Sequence, residues 1–198
     1  MIALIDYGAG NLTSVKKALA AIGAEVIVPA RPEDLRQAHG VIVPGVGHFG
    51  ATRVLDRGWV DAILERVGNG CPLLGICLGM QWLFEGSDEA PGCRGLGILA
   101  GQCYRLGATE TVKIPHVGWN SLAFERVSSS IEGIAPGAQV YYTHSYVAPI
   151  TGDTVAVTDH GEPFAAVVQR GHVAGVQFHP EKSGEVGLRV LRNFVEST

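Results

Sequence analysis

Short apolar runs alternate with amphipathic stretches over the first 84 residues, and this alternation restricts the fold more than any other feature. Ile2 to Asp6 reads as a strand ending at Gly8-Ala9-Gly10. Asn11 to Ile22 carries Leu12, Val15, Leu19 and Ile22 at helical spacing, with Lys16 and Lys17 outside and Gly23 placed to end the helix. Glu25 to Val28 and Val41 to Val43 read as strands, the second stopped by Pro44-Gly45. Phe49 to Val67 reads as one helix with Leu55, Trp59, Ile63 and Val67 in register. Leu73 to Ile76 is a buried strand that runs directly into a helix over Leu78 to Phe84. The pattern predicts an α/β fold, a mostly parallel central sheet flanked by helices.

The second half changes character. Ile98 to Leu106, Thr111 to Ile114, Val140 to Val147, Thr154 to Thr158, Phe164 to Gln169 and His172 to Phe178 read as strands separated by turns. Several are expected to pair as antiparallel ribbons added to the parallel core. Arg170-Gly171 reads as a two-residue hairpin turn, and Ser183 to Val195 as a closing helix with Val186, Val190, Leu191 and Phe194 inward. With no internal repeat or linker, the 198 residues are expected to form one domain, 1–198.

The net charge of −4, with no run of Lys or Arg, argues against nucleic-acid binding. The N-terminus meets Asp6 without a basic lead, so it reads as a first strand and not a signal peptide. The longest nearly apolar run, Cys71 to Phe84, is too short to span a bilayer. A soluble, cytoplasmic protein is therefore expected. Cys71, Cys77, Cys93 and Cys103 form no CxxC pair and have no ligand-like spacing with histidine, so neither disulfide, metal nor cofactor is expected. Charged residues are only 17%, against about 25% typically, which hints at a covered face.

The junction of strand and helix at Gly75-Ile76-Cys77-Leu78-Gly79 has the G-x-nucleophile-x-G form of a nucleophile elbow. A turn this tight leaves no room for side chains at the flanking positions. It lifts Cys77 above the strand ends, where the free N–H groups of the following helix favour a thiolate. The N–H of Leu78 lies where an oxyanion needs a donor. The other three cysteines lack this setting and read as buried structural residues.

A cysteine nucleophile needs a base. Among seven histidines, His179 stands out because it follows a strand and begins His179-Pro180-Glu181. Pro180 biases His179 toward extended geometry, and residues i and i+2 of an extended segment project to one side. Glu181 would then hold the imidazole against Cys77. Alone, His-Pro-Glu is as easily a solvated turn; the elbow gives it its meaning. Gly8-Ala9-Gly10 begins like a dinucleotide fingerprint, but Thr13 occupies the third glycine position, so nucleotide binding is rejected.

With these residues in place, the chain strongly resembles the class I glutamine amidotransferases over essentially its full length. The segment Pro72 to Leu83 fits that family's nucleophile signature, and His179-Pro180-Glu181 its partner motif. Within the family, four further segments resemble glutaminase subunits of histidine biosynthesis: Asp6 to Leu12, Pro44 to Phe49, Pro115 to Asn120 and Tyr142 to Tyr146. The resemblance implies hydrolysis of L-glutamine by Cys77, His179 and Glu181. It further implies substrate contacts from Gln81 and His144-Ser145-Tyr146, and a second oxyanion donor from Gly45-Val46-Gly47 that aligns by a peptide flip. The implied partner is a (β/α)8-barrel cyclase subunit, which this chain is too short to contain. Asn11, Trp119 and Lys182 are expected to face it, although Trp119 also suits simple core packing and Lys182 an ordinary exposed position. Three other readings remain open at this stage: a glutaminase subunit of another pathway, a stand-alone γ-glutamyl hydrolase, and a non-catalytic binding module.

Overall fold

A computed structural model describes residues 1–110 and 112–198. Its first half runs β1 (Ile2–Leu4), α1 (Leu12–Ala21), β2 (Val26–Ile27), β3 (Gly40–Gly45), α2 (Arg57–Gly68), β4 (Leu73–Cys77) and α3 (Leu78–Trp82). The second half runs β5 (Gly86–Ser87), β6 (Gln102–Arg105), β7 (His116–Ser121), β8 (Ala123–Phe124), β9 (Gln139–His144), β10 (Tyr146–Val147), β11 (Thr154–Asp159), β12 (Pro163–Arg170), β13 (Val173–Val176) and α4 (Gly184–Glu196). An eight-stranded sheet has the order β2-β1-β3-β4-β13-β12-β11-β8. From β2 to β13 neighbouring strands are parallel; β12, β11 and β8 extend the sheet antiparallel. This is the expected α/β architecture.

Alternation along the strands splits the core between two faces. Ile2, Leu4, Ile42, Leu74 and Ile76 pack with Val15 and Leu19 of α1 and Val190, Leu191 and Phe194 of α4. Ala3, Ile5, Val41, Val43 and Leu73 pack with Ile63 of α2 and Leu78, Met80 and Trp82 of α3. Each fully buried Leu, Ile or Phe is worth about 2 kcal/mol. Asn11 is the N-cap of α1, where its side chain accepts from the Ser14 N–H, and Gly23 follows the helix at φ 76°.

Several expectations are corrected. The helix expected over Phe49 to Val67 is two pieces, because the Asp56 side chain accepts from the Gly58 and Trp59 N–H groups and starts α2 afresh after a 3₁₀ stretch over Phe49–Val54. β3 runs through Pro44 to Gly45. Val41 donates to Pro72 and Ile42 accepts from Ile5, so the missing Pro44 N–H falls on the β1 side, where β1 has ended. Only Gln102–Arg105 of Ile98 to Leu106 is strand, because Leu99 and Gly101 bond instead to Leu83 and Glu85. In the strand expected at Thr111 to Ile114, residue 111 lies outside the described residues and 112–114 pair with no strand. Ser145 divides Val140 to Val147 between β9 and β10, which belong to different sheets. The β12–β13 hairpin turns at Gly171-His172, one residue later than expected, because Arg170 still pairs with Val173.

β7 was not anticipated as a strand. It pairs with β9, but its apolar residues point outward: Val117 and Trp119 are each 57% exposed, while His116 is buried. Only two of its six residues, Val117 and Trp119, are apolar, which leaves little strand signal in the sequence.

Candidate active site

β4 delivers Cys77 to the sheet's C-terminal edge, and α3 starts at the next residue. Cys77 holds φ 53° and ψ −108°, the one non-glycine with positive φ among the described residues. Such a conformation costs of order 1–3 kcal/mol and persists only where its surroundings enforce it. Here β3 and β13 clamp β4, with Gly45 opposite Cys77 and Val176 opposite Ile76. The glycines permit α3 to fold down on the strands. A Cβ on Gly75 would lie 2.6 Å from Gly79 O and Met80 N, and one on Gly79 would run into the Val43 carbonyl. Neither position has room for a side chain.

His179 and Glu181 meet beside this elbow, through a different local geometry from the one expected. His179 is extended at φ −98° and ψ 98°, as Pro180 demands, but Pro180–Lys182 is a 3₁₀ turn. The turn, not an extended strand, brings His179 Nδ1 within 2.9 Å of Glu181 Oε1, with side chains 1% and 2% exposed. Ser183 locks it: its Oγ donates to His179 O at 2.7 Å and accepts from Tyr141 N at 2.9 Å. His179 Nε2 is fully buried on the side of the ring that interacts with the Cys77 sulfur. Burial opposes charging this ring, but the Cys77 sulfur and then Glu181 outweigh burial and hold the His179 pKa at about 10. The sign follows: because the folded value is raised, the stabilisation is full below the ordinary 6.5 and is lost as pH rises through about 10. The His179 ring is therefore expected to stay doubly protonated at neutral pH in the resting protein. Ring ¹⁵N shifts measure this directly, and a titration centred near 6.5 would refute it.

A cavity of about 290 Å³ opens over Cys77, lined by Gly47, Leu78, Gln81, Glu89, His144, Ser145 and Tyr146 among others. Every residue expected to contact substrate or oxyanion, except Gly45 and Val46, therefore borders one cavity with Cys77. Those two sit at the end of β3. Val46 N–H is turned to Ala9 O at 3.3 Å, so the expected second oxyanion donor is engaged elsewhere at rest. Gly47 follows at φ 94°, a backbone conformation that would strain a residue with a Cβ. Tyr7, raised in pKa by burial and by Cys77, buries an unpaired hydroxyl against Gly45.

The wall carrying Ser145 and Tyr146 is held by a chain of rings. His144 Nδ1 lies 3.2 Å from Tyr146 O, His144 Nε2 lies 3.1 Å from His116 Nδ1, and Asn120 Nδ2 lies 3.3 Å from His116 Nε2. Because a carbonyl accepts at one end and an amide NH₂ donates at the other, each ring carries one proton, on Nδ1. Burial and neighbouring histidines lower His116 to about 4 and His144 to about 3, so both stay neutral.

Glu89 was not identified from sequence. It borders the cavity and accepts from Phe49 N–H at 2.6 Å, yet nothing local in its turn marks it. Gln177, discussed below, was missed as well. Of the expected partner-facing residues, Trp119 and Lys182 meet at Tyr141, while Asn11 caps α1. Trp119 is exposed, not core, and stands edge-on to Tyr141, with Lys182 Nζ 5.7 Å from the centre of the same ring. All four cysteines are free. Among the described residues no group of His, Cys, Asp and Glu is arranged to hold a metal, and no helix is long and apolar enough to cross a membrane.

Comparison with known proteins shows the family and the fold. The family described as "Glutamine amidotransferase class-I" matches residues 3–198. A Bacillus cereus protein named imidazole glycerol phosphate synthase subunit HisH is 49% identical over 98% of this chain and 93% of its own length. The Deinococcus radiodurans protein of the same name is 43% identical over 98% and 92%. A solved glutamine amidotransferase superposes with a TM-score of 0.77 at 23% identity, covering 100% of this chain and 98% of that one. PurLQS from Thermotoga maritima gives 0.74 at 21% identity, covering 98% and 97%. Matched along its length by the family and sharing nearly half its residues with full-length relatives, the chain is an enzyme of the class I glutamine amidotransferase family.

Proposed function

We propose that the chain hydrolyses L-glutamine to glutamate and ammonia through Cys77, His179 and Glu181. It then passes the ammonia to a (β/α)8-barrel cyclase subunit that forms imidazole glycerol phosphate and aminoimidazole carboxamide ribotide in cytoplasmic histidine biosynthesis. The strained Cys77 at the cavity floor, beside a buried His179–Glu181 pair, carries this reading. The names of the relatives support the pathway and the existence of a partner.

The chemistry follows from the positions. The Cys77 sulfur attacks the glutamine Cδ, and the carbonyl electron pair moves onto oxygen, facing the Leu78 N–H. His179 gives its Nε2 proton to the departing nitrogen, so ammonia leaves and a γ-glutamyl thioester remains. His179 then takes a proton from water, the hydroxide attacks the thioester, and the thiolate is released with glutamate. Glu181 keeps the ring oriented and offsets its charge. Glu89 offers its carboxylate to the substrate's α-ammonium, while backbone groups of His144, Ser145 and Tyr146 contact the substrate from the cavity wall. Gln81 braces that wall by donating to Tyr146 O at 2.8 Å.

The Val46 N–H becomes the second oxyanion donor only after leaving Ala9 O, and partner engagement is the proposed trigger. Val117, Trp119, Tyr141, Lys182 and Asn11 are the proposed contact face, consistent with the outward apolar side of β7. The test is glutamine hydrolysis by the purified chain, alone and with a co-expressed cyclase subunit and its nucleotide substrate. A rise of about a hundredfold or more is expected, the scale of one oxyanion donor. Equal rates would remove the switch, and cleavage of γ-glutamyl peptides by the chain alone would favour a stand-alone hydrolase.

A further inference from the structure

Gln177 has no part in the mechanism above, yet its side chain reaches the reacting sulfur. Val176 pairs with Ile76 across the parallel β13–β4 ladder, so the next residue stands level with Cys77. Gln177 N–H donates to Ala166 O at 2.9 Å, which keeps the chain on the strand line beyond β13. The side chain is fully buried, and its Nε2 lies 3.6 Å from Cys77 Sγ, hydrogen-bond range for sulfur. No bulk water competes for that contact.

The orientation of the amide is not free. Gln81 Nε2 donates to Tyr146 O at 2.8 Å and to Gln177 Oε1 at 3.1 Å. Both of its N–H groups are then used, so Gln177 must turn its oxygen to Gln81 and its NH₂ to the sulfur. A continuous chain, Tyr146 O to Gln81 to Gln177 to Cys77 Sγ, ties the cavity wall to the nucleophile. An N–H aimed at sulfur favours the thiolate over the thiol, because only the anion is a strong acceptor.

We propose that Gln177 is a positioning residue for the nucleophile: its NH₂, oriented by Gln81, donates to the Cys77 sulfur, stabilises the thiolate and aims it into the cavity. This rests on the glutaminase reading for its consequence in turnover, but not for the hydrogen bond itself.

The test uses the chain co-expressed with its cyclase partner, and reads two quantities. The first is the pH profile of Cys77 alkylation by iodoacetamide, followed on the Cys77 peptide by mass spectrometry. Gln177→Met removes the donor at similar volume, and the midpoint is expected to rise by about one pH unit. Gln177→Glu keeps an oxygen for Gln81 but presents oxygen to sulfur as well, and should shift the midpoint further. The second is steady-state glutamine hydrolysis, where kcat should fall about tenfold to a hundredfold with KM changed less than about threefold. Folded variants whose alkylation profiles superimpose on the unsubstituted protein overturn the proposal.

A measurement needing no substitution at Gln177 guards against misfolding. In the unsubstituted protein one Gln177 side-chain NH₂ proton should shift as Cys77 ionises, and Cys77→Ala should abolish that response. A resonance silent to pH overturns the proposal equally. An unsubstituted complex that leaves glutamine intact would instead sink the glutaminase reading, while the alkylation profile and the resonance still decide the hydrogen bond.

Discussion

Cys77→Ala in the assembled complex is expected to abolish glutamine hydrolysis, lowering kcat by about 10⁴-fold or more. The cavity is lined by one cysteine, and the others, Cys71, Cys93 and Cys103, are buried outside its lining. The substitution should not unfold the protein. Alanine at 77 keeps the backbone that flanking glycines and strands enforce, and removes one sulfur from a site already open to a cavity. Cyclase turnover with added ammonium salt should therefore survive while turnover with glutamine disappears. Glutaminase activity retained by the variant would remove Cys77 from the mechanism.

Gly79→Ala should be the most damaging single methyl group in the chain. The new Cβ would overlap the Val43 carbonyl, a backbone atom of the neighbouring central strand that has no rotamer with which to escape. α3 would have to lift off β3, opening the packing of Leu78, Met80 and Trp82 against Val41 and Val43. A loss of about 3 kcal/mol or more is expected, at the upper end of overpacking costs, with Cys77 displaced from the cavity. Urea denaturation measures the first and iodoacetamide reactivity the second. A variant with unchanged urea midpoint and unchanged Cys77 reactivity would contradict the steric account of the elbow. By contrast, the same substitution at Gly68, whose Cβ direction is open, should be nearly silent.

These two residues also show what a sequence can reveal. The elbow is a local steric problem, five residues long, and its glycines and cysteine report it directly. The first helix was equally local: Asn11 caps it and Gly23 leaves it. The pairing of His179 with Glu181 was legible because the residues are two apart, although a 3₁₀ turn and Ser183 achieve it, not extended backbone. The break at Asp56 was hidden because apolar spacing continues across it and a cap is one side chain.

Gln177 and Glu89 depend on relations that no short window contains. Gln177 matters because β13 sits beside β4 in a particular register, although Gln177 lies 100 positions beyond Cys77 in the chain. Glu89 reaches Phe49 across 40 positions. β7 was illegible for a different reason. Only Val117 and Trp119 of its six residues are apolar, and they face outward on the proposed contact face while the inward side holds the histidine chain. The low charge of the sequence is consistent with that face, but composition alone could not locate it.

The central claim is that the Cys77 sulfur bonds to the γ-carbon of glutamine. It is tested most directly by acid-quenching the complex during glutamine turnover and weighing the peptide that contains Cys77. A γ-glutamyl thioester on Cys77 is expected, present with glutamine, absent without it and absent in Cys77→Ala. Steady release of glutamate with Cys77 unmodified, or the acyl group on another cysteine, would contradict it.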